Sequence, residues 1–201
     1  MLQVAVRLPA TIDDVGEYLA DVTALEAAGA AAIWVDDTGP EPWVLLGAMA
    51  AVTHRVRLGC MLTSTGRRPS EMLQAAVTTL QKLSRGRIVV GLSSHAQAGA
   101  DPAALQAAGA KVFTTGSGKE PCDGVIFNVE TADQLSSSRD TDIEVWAAIA
   151  VPPDRAAWVD TLTAYEAAGA TGVILPWNDR VLDLLRNPEP DDRTDLLIST
   201  G

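Results

Sequence analysis

Leu25-Glu26-Ala27-Ala28-Gly29-Ala30, Leu105-Gln106-Ala107-Ala108-Gly109-Ala110 and Tyr165-Glu166-Ala167-Ala168-Gly169-Ala170 are near copies of one another, and each runs into a short apolar stretch. A Gly just past the last helical turn can take the left-handed conformation, satisfy orphan carbonyls and turn the chain into a strand. Three such passages imply a repeated βα architecture. Outward from them, apolar and β-branched runs at 3–8, 31–36, 56–62, 87–92, 111–115, 124–128, 143–150 and 172–175 read as eight strands. They are short and lack strict polar alternation, as strands of a parallel sheet covered on both faces do. Helical periods occupy 12–28, 41–53, 69–84, 154–168 and 178–187. Thr11 stands three residues before Asp14 as a capping pair, and Pro42, Pro69 and Pro153 mark first helical turns.

The expected fold is a reduced (β/α)8 TIM barrel formed as a single domain over 1–201. Its helices should be shortened or missing between strands four and seven, because a chain of 201 residues is short for a fold that typically needs about 250. Only 116–123 separates the fifth and sixth strands, and 129–142 is polar. An open doubly wound sheet with fewer strands is the alternative.

Composition excludes several classes. At 47% hydrophobic and 20% charged the chain is globular rather than disordered, and chains of this size typically bury about 70% of their unfolded surface. A net charge of −11 without a basic run argues against nucleic acid. The start, MLQVAVRLPATIDD, has no basic leader, and no apolar run approaches the roughly 20 residues of a membrane span, so neither export nor insertion is expected. Two cysteines supply no disulfide framework, which makes the cytoplasm the expected compartment. Metal binding is not expected: the two histidines are far apart and no metal-ligand spacing occurs.

From Trp34 to Leu92 the chain resembles the luciferase-like monooxygenase family of flavin- and deazaflavin-dependent oxidoreductases. The resemblance rests on Trp34-Val35-Asp36-Asp37, on the run from Ala50 to Gly59, on Arg67-Arg68-Pro69, on Thr79-Leu80 and on Leu83-Ser84-Arg85-Gly86-Arg87. It resumes at Asp123-Gly124-Val125-Ile126 and from Ala164 to Leu175. It implies a (β/α)8 barrel that binds coenzyme F420, a deazaflavin, or FMN, transfers hydride to or from a small organic substrate, and forms a homodimer through the apolar helix that begins at Pro42. The rival expectation is a non-catalytic protein without turnover, either a flavin-binding barrel or a degenerate barrel with no cofactor.

Functional groups of such a barrel sit at the C-terminal ends of its strands. Candidates there are Asp36, Asp37 and Thr38 after strand two, Cys60 to Ser64, Met61 among them, after strand three, and Ser93, Ser94 and His95 after strand four. Further round stand Thr114 to Gly118 after strand five, Asn128 and Glu130 after strand six, and Trp177 to Asp179 after strand eight. The opposite mouth should carry structural residues, His54 and Arg55 among them. Thr115, Gly116, Ser117 and Gly118, followed by Lys119, combine hydroxyls, permissive backbone and a cation, which suits an anionic group. By position they match the family's cofactor-phosphate loop. Arg67 could hold a phosphate or carboxylate. Gly59-Cys60-Met61 matches a family bulge with a cis peptide, placed here at Cys60–Met61, and Cys60 and Met61 would back the ring. His95 is the candidate proton-exchanging group and Asp37 a second one, since relatives carry His where this chain has Thr38. Asp36 and Asp37 are adjacent in a strand and so cannot both face the barrel axis.

Overall fold

Alternation along each strand decides which side chains fill the barrel and which meet the helices. A computed structural model describes residues 2–63, 69–96, 100–116, 122–135 and 143–186. Eight parallel strands, β1 (Gln3–Arg7), β2 (Ala32–Asp36), β3 (Arg57–Leu62), β4 (Ile88–Leu92), β5 (Lys111–Thr115), β6 (Gly124–Asn128), β7 (Glu144–Ala148) and β8 (Gly172–Pro176), follow sequence order. They form a closed barrel, with β8 pairing back onto β1. Closure excludes the open doubly wound sheet.

The helices are α1 (Val15–Ala27), α2 (Pro42–Val52), α3 (Ser70–Ser84), α4 (Pro102–Ala107), α5 (Arg155–Ala167) and α6 (Asp179–Arg186). As expected, the shortening falls between β4 and β7: α4 has six residues, and a 3-10 turn at Ala132–Leu135 stands between β6 and β7. The three alanine-glycine passages behave alike. Ala28, Ala108 and Ala168 close their helices, and Gly29, Gly109 and Gly169 follow at φ of 89°, 91° and 89°.

Several local expectations are corrected. The cap of α1 is Asp14, whose carboxylate accepts from the Glu17 amide at 2.9 Å, and Thr11 lies outside the helix. The proline assignment holds for Pro42; Pro69 is the cap of α3, and Pro153 precedes the Asp154 cap of α5. The Cys60–Met61 peptide is trans, and no cis bond occurs among the described residues. There β3 runs in unbroken register, Cys60 with Val35 and Val90 and Met61 with Asp36 and Gly91, so no bulge demands another isomer.

Following registered pairs from Arg7 to Trp34, Gly59, Val89 and Lys111 descends the barrel one residue layer per strand. Alternate strands therefore contribute to each layer, the usual arrangement of this fold. At the N-terminal mouth Gln3, Arg57, Lys111 and Glu144 close the barrel with an ion cluster. Arg57 and Lys111 donate to Glu144 at 2.8 and 2.6 Å, Trp146 Nε1 donates to it at 3.0 Å, and the Arg57 guanidinium lies 5.2 Å from the Trp146 ring centre. Partial burial would raise the Glu144 pKa, but its bonds to Lys111, Arg57 and Trp146 outweigh that and hold it below the usual range.

Above the cluster, aromatic side chains share the axis: Trp34 and Phe113 have ring centres 5.9 Å apart, Phe113 and Trp146 6.5 Å. Neighbouring strands make room with glycine. A Cβ on Gly59 would stand 2.4 Å from the Trp34 ring, and one on Gly172 2.4 Å from Trp146. The aliphatic core lies outside the strands, where Val6, Ile33, Leu58, Val90 and Val173 meet Val22, Leu46, Met49 and Val77 of the helices.

Candidate functional site

The uppermost inward layers build a hollow at the C-terminal mouth. Its floor is Trp34, Ile126 and Ile174; its wall is Arg7, Met61, Thr115 and Ala148; Thr63, Ser93 and Asn128 form the rim. Ala148 is the one small side chain of its wall, and Gly91 makes room for Met61, whose Cε a Cβ there would meet at 2.6 Å. The hollow encloses about 170 Å³, below the ~300 Å³ at which pockets for whole drug-sized ligands begin, so it takes a small molecule or one end of a larger one.

Of the polar groups in its wall and rim, Arg7 only donates, while Thr63, Ser93, Thr115 and Asn128 can both donate and accept. Arg7, at the end of β1, donates Nε and Nη2 to Asp36 Oδ1 at 2.9 and 2.5 Å. Ser93 Oγ is spent, donating to the Thr63 carbonyl at 3.1 Å and accepting from the Ala96 amide at 3.2 Å. Thr115 Oγ1 accepts from the Ser94 amide at 3.2 Å and keeps its own O–H. Asn128 is exposed at the rim.

Of the residues expected at the site, Met61, Ser93 and Thr115 meet at this hollow. Ser94 and His95 stand exposed on the turn leaving β4, with Ser94 Oγ 3.5 Å from His95 Nδ1, outside the wall. Asp37 is 4% exposed and also outside it: its Oδ1 accepts from Thr63 N at 3.0 Å and Thr63 Oγ1 at 2.5 Å, tying the β2 end to the β3 end. The expectation that only one of Asp36 and Asp37 faces the axis holds, and the one that does is Asp36. Cys60 does not reach the mouth. Its side chain is wholly buried in the outer core, because position 60 is an outward one, between inward Gly59 and Met61. Burial first, then the Asp37, Asp36 and Glu41 carboxylates, push its thiol well above the usual range. Gly116 caps β5 at φ 80°, but its amide donates to the Ile126 carbonyl at 3.2 Å and is not offered to a ligand. Arg67, Ser117 and Gly118 lie outside the described residues.

Sequence reasoning missed Arg7. The signal was present: Gln3, Ala5 and Arg7 alternate inward, so a cation at the last inward position of β1 had to open on the mouth. His54 and Arg55 do lie at the opposite end, where Glu26 accepts the amides of His54, Arg55 and Val56 at 2.8, 2.6 and 2.9 Å. Partial burial would raise the Glu26 pKa, but these amides and Arg87 hold it below the usual range.

Residues 2–101 match the model of the family described as luciferase-like monooxygenase. The chain belongs to this family. It is 38% identical over 68 residues to a phthiodiolone/phenolphthiodiolone dimycocerosates ketoreductase of Mycobacterium sp. (strain JLS). That stretch is 33% of this chain and 18% of the relative, so the likeness spans less than a fifth of the ketoreductase. Among solved structures, the coenzyme F420-dependent tetrahydromethanopterin reductase of Methanopyrus kandleri superposes with a TM-score of 0.72 at 12% identity, over 92% of this chain and 96% of that one. An F420-dependent secondary alcohol dehydrogenase, in complex with an F420-acetone adduct, gives 0.66 at 11% identity over 87% and 93%. At these identities the likeness is one of fold. Among the described residues no cluster of side chains could ligate a metal ion, and no helix is long and apolar enough to cross a membrane.

Proposed function

We propose that the whole chain acts as one (β/α)8 unit, an oxidoreductase that binds a deazaflavin or FMN over the C-terminal mouth and exchanges hydride with a small organic substrate. The observation that carries this reading is the hollow itself: an apolar floor beneath Arg7, Thr115 and Asn128, which keep donors unspent, in a member of a redox family. The donor set fits the carbonyl-bearing end of such a ring, and the hollow has room for that end or for a small substrate. The bound ring would supply the two-electron chemistry. The chain's own residues supply the rest. Met61, Ile126 and Ile174 give an apolar surface that excludes water, and Thr115 and Asn128 offer hydrogen bonds. Ser94 and Gly116 border the ring, and His95, exposed on the turn leaving β4 beyond the wall of the hollow, is proposed as the proton-exchanging group. Arg67, Ser117 and Gly118 are proposed for the acidic tail of the cofactor.

The test is a titration of the purified protein with F420 and with FMN, followed by absorbance and fluorescence. Saturable micromolar binding of either supports the reading; no binding of both ends it. One observation favours a barrel that holds the ring without turnover: the described wall of the hollow contains no imidazole and no carboxylate. Binding without oxidation of the reduced ring by any small carbonyl compound would decide for that second reading. We place the protein in the cytoplasm, in keeping with the free thiols of Cys60 and Cys122. We also propose a homodimer through α2 and α3, whose Val44 and Met72 are 72% and 56% exposed. Light scattering should then give twice the chain mass, and Val44→Asp half of that.

A further inference from the structure

Arg7 is the one charged residue in the described wall of the hollow. Asp36 takes the side edge of its guanidinium, Nε and Nη2 both donating to Oδ1. That fixes the plane of the group and leaves the end edge, Nη1 with the second hydrogen of Nη2, without a protein partner among the described residues. A fixed guanidinium in the wall of a hollow whose described lining carries no carboxylate calls for a ligand oxygen. The charge of that ligand follows from the pair. Arg7 is already balanced by Asp36, so a carboxylate entering would set a second negative charge close to Asp36, in a chain of net charge −11. A neutral carbonyl oxygen accepts the same hydrogen bonds without that repulsion. Across the hollow the Thr115 hydroxyl stands on the strand opposite β1.

We propose that Arg7 is a ligand-binding residue that seats a neutral carbonyl oxygen in the hollow, with Asp36 as the positioning residue that aims it. The assignment deepens the reading above and rests on it for the reaction, though not for the binding. The carbonyl could belong to a small ketone or aldehyde substrate or to the ring of the cofactor; the chemistry at Arg7 is the same.

The experiment follows the carbonyl carbon of [2-13C]acetone by NMR as the full chain is added, with [1-13C]acetate, its near-isostere with a charge, in a parallel series. The expected result is a saturable downfield shift of acetone, with acetate binding more weakly. Arg7→Met should weaken acetone at least 10-fold, and Arg7→Lys, which keeps the charge and a partner for Asp36 but loses the fork, at least 3-fold. Asp36→Asn should reduce the limiting shift. Oxidised F420 is then added to the acetone complex: loss of the acetone shift assigns the seat to the ring carbonyl, and its persistence assigns it to the substrate. Unchanged acetone binding in both folded Arg7 variants, no saturable shift with the wild-type protein, or tighter binding of acetate than acetone overturns the proposal. Wild-type protein that binds F420 but not acetone, with Arg7→Met binding F420 equally well, overturns the inference and leaves the function standing. Acetone binding without any flavin or F420 binding does the reverse.

Discussion

Replacing Gly59 by Ala tests whether glycine makes room for the aromatic centre of the barrel. Gly59 lies inside β3 with no positive φ, so an alanine that met nothing would stabilise the fold by about 0.4–1 kcal/mol through the unfolded chain. Its Cβ, however, would stand 2.4, 2.5 and 2.8 Å from three carbons of the Trp34 ring. That ring cannot swing clear, because it is 2% exposed and leans on Phe113 at 5.9 Å. Overpacking of this kind costs about 1–3 kcal/mol. For a chain of this size each kcal/mol moves Tm by roughly 2–4 °C, so a net loss of about 2 kcal/mol lowers it by about 4–8 °C. Trp34→Leu removes the obstacle and by itself costs roughly 2–5 kcal/mol as a large-to-small change. The two changes touch, so they should not add: the double variant should be about 1–2 kcal/mol more stable than the sum. Urea denaturation of the four proteins completes the cycle. A Gly59→Ala variant as stable as wild type, or strictly additive costs, would refute the packing argument.

Two further outcomes follow from groups away from the mouth. Glu26 holds three amides of the turn before β3, so Glu26→Ala should cost about 1–2 kcal/mol at neutral pH. Its folded pKa lies below the ordinary 4.5, so the unfolded chain binds the proton first; the contribution is full above the unfolded value and fades as pH falls through the folded one. The difference between wild type and variant should therefore shrink on acidification below about pH 4.5, and a gap that is constant with pH would contradict this role. Cys60, wholly buried with its thiol raised, should resist a disulfide reagent in the native protein, while half-buried Cys122 reacts. Two fast thiols without denaturant would place Cys60 nearer the surface than described.

The parts of the fold governed by local chemistry were readable from the chain. Gly29, Gly109 and Gly169 announce their turns because a left-handed residue after a helix is a local demand, and the eight strand runs follow from apolar clustering. What depends on register was not readable. The fit of Gly59 to Trp34 and of Gly172 to Trp146 joins different strands, and only the pairing of those strands brings them together. The site divides the same way. Ser93 and Thr115 line the hollow as residues at strand ends, which the chain makes legible, and Met61 lines it as part of the family pattern. Cys60 came with that same pattern, where alternation alone would have turned it outward. Asp37 looked catalytic by its position, but its carboxylate is taken up by Thr63.

The central claim, hydride exchange at the C-terminal mouth, is tested most directly by a single turnover. Reduced F420 is mixed anaerobically with the protein and a small ketone, and the return of the oxidised deazaflavin absorbance is followed. Oxidation should require the protein, saturate with ketone and slow at least 10-fold in Arg7→Met. Protein that binds the reduced ring tightly yet leaves its spectrum unchanged with every small carbonyl compound offered would contradict that claim.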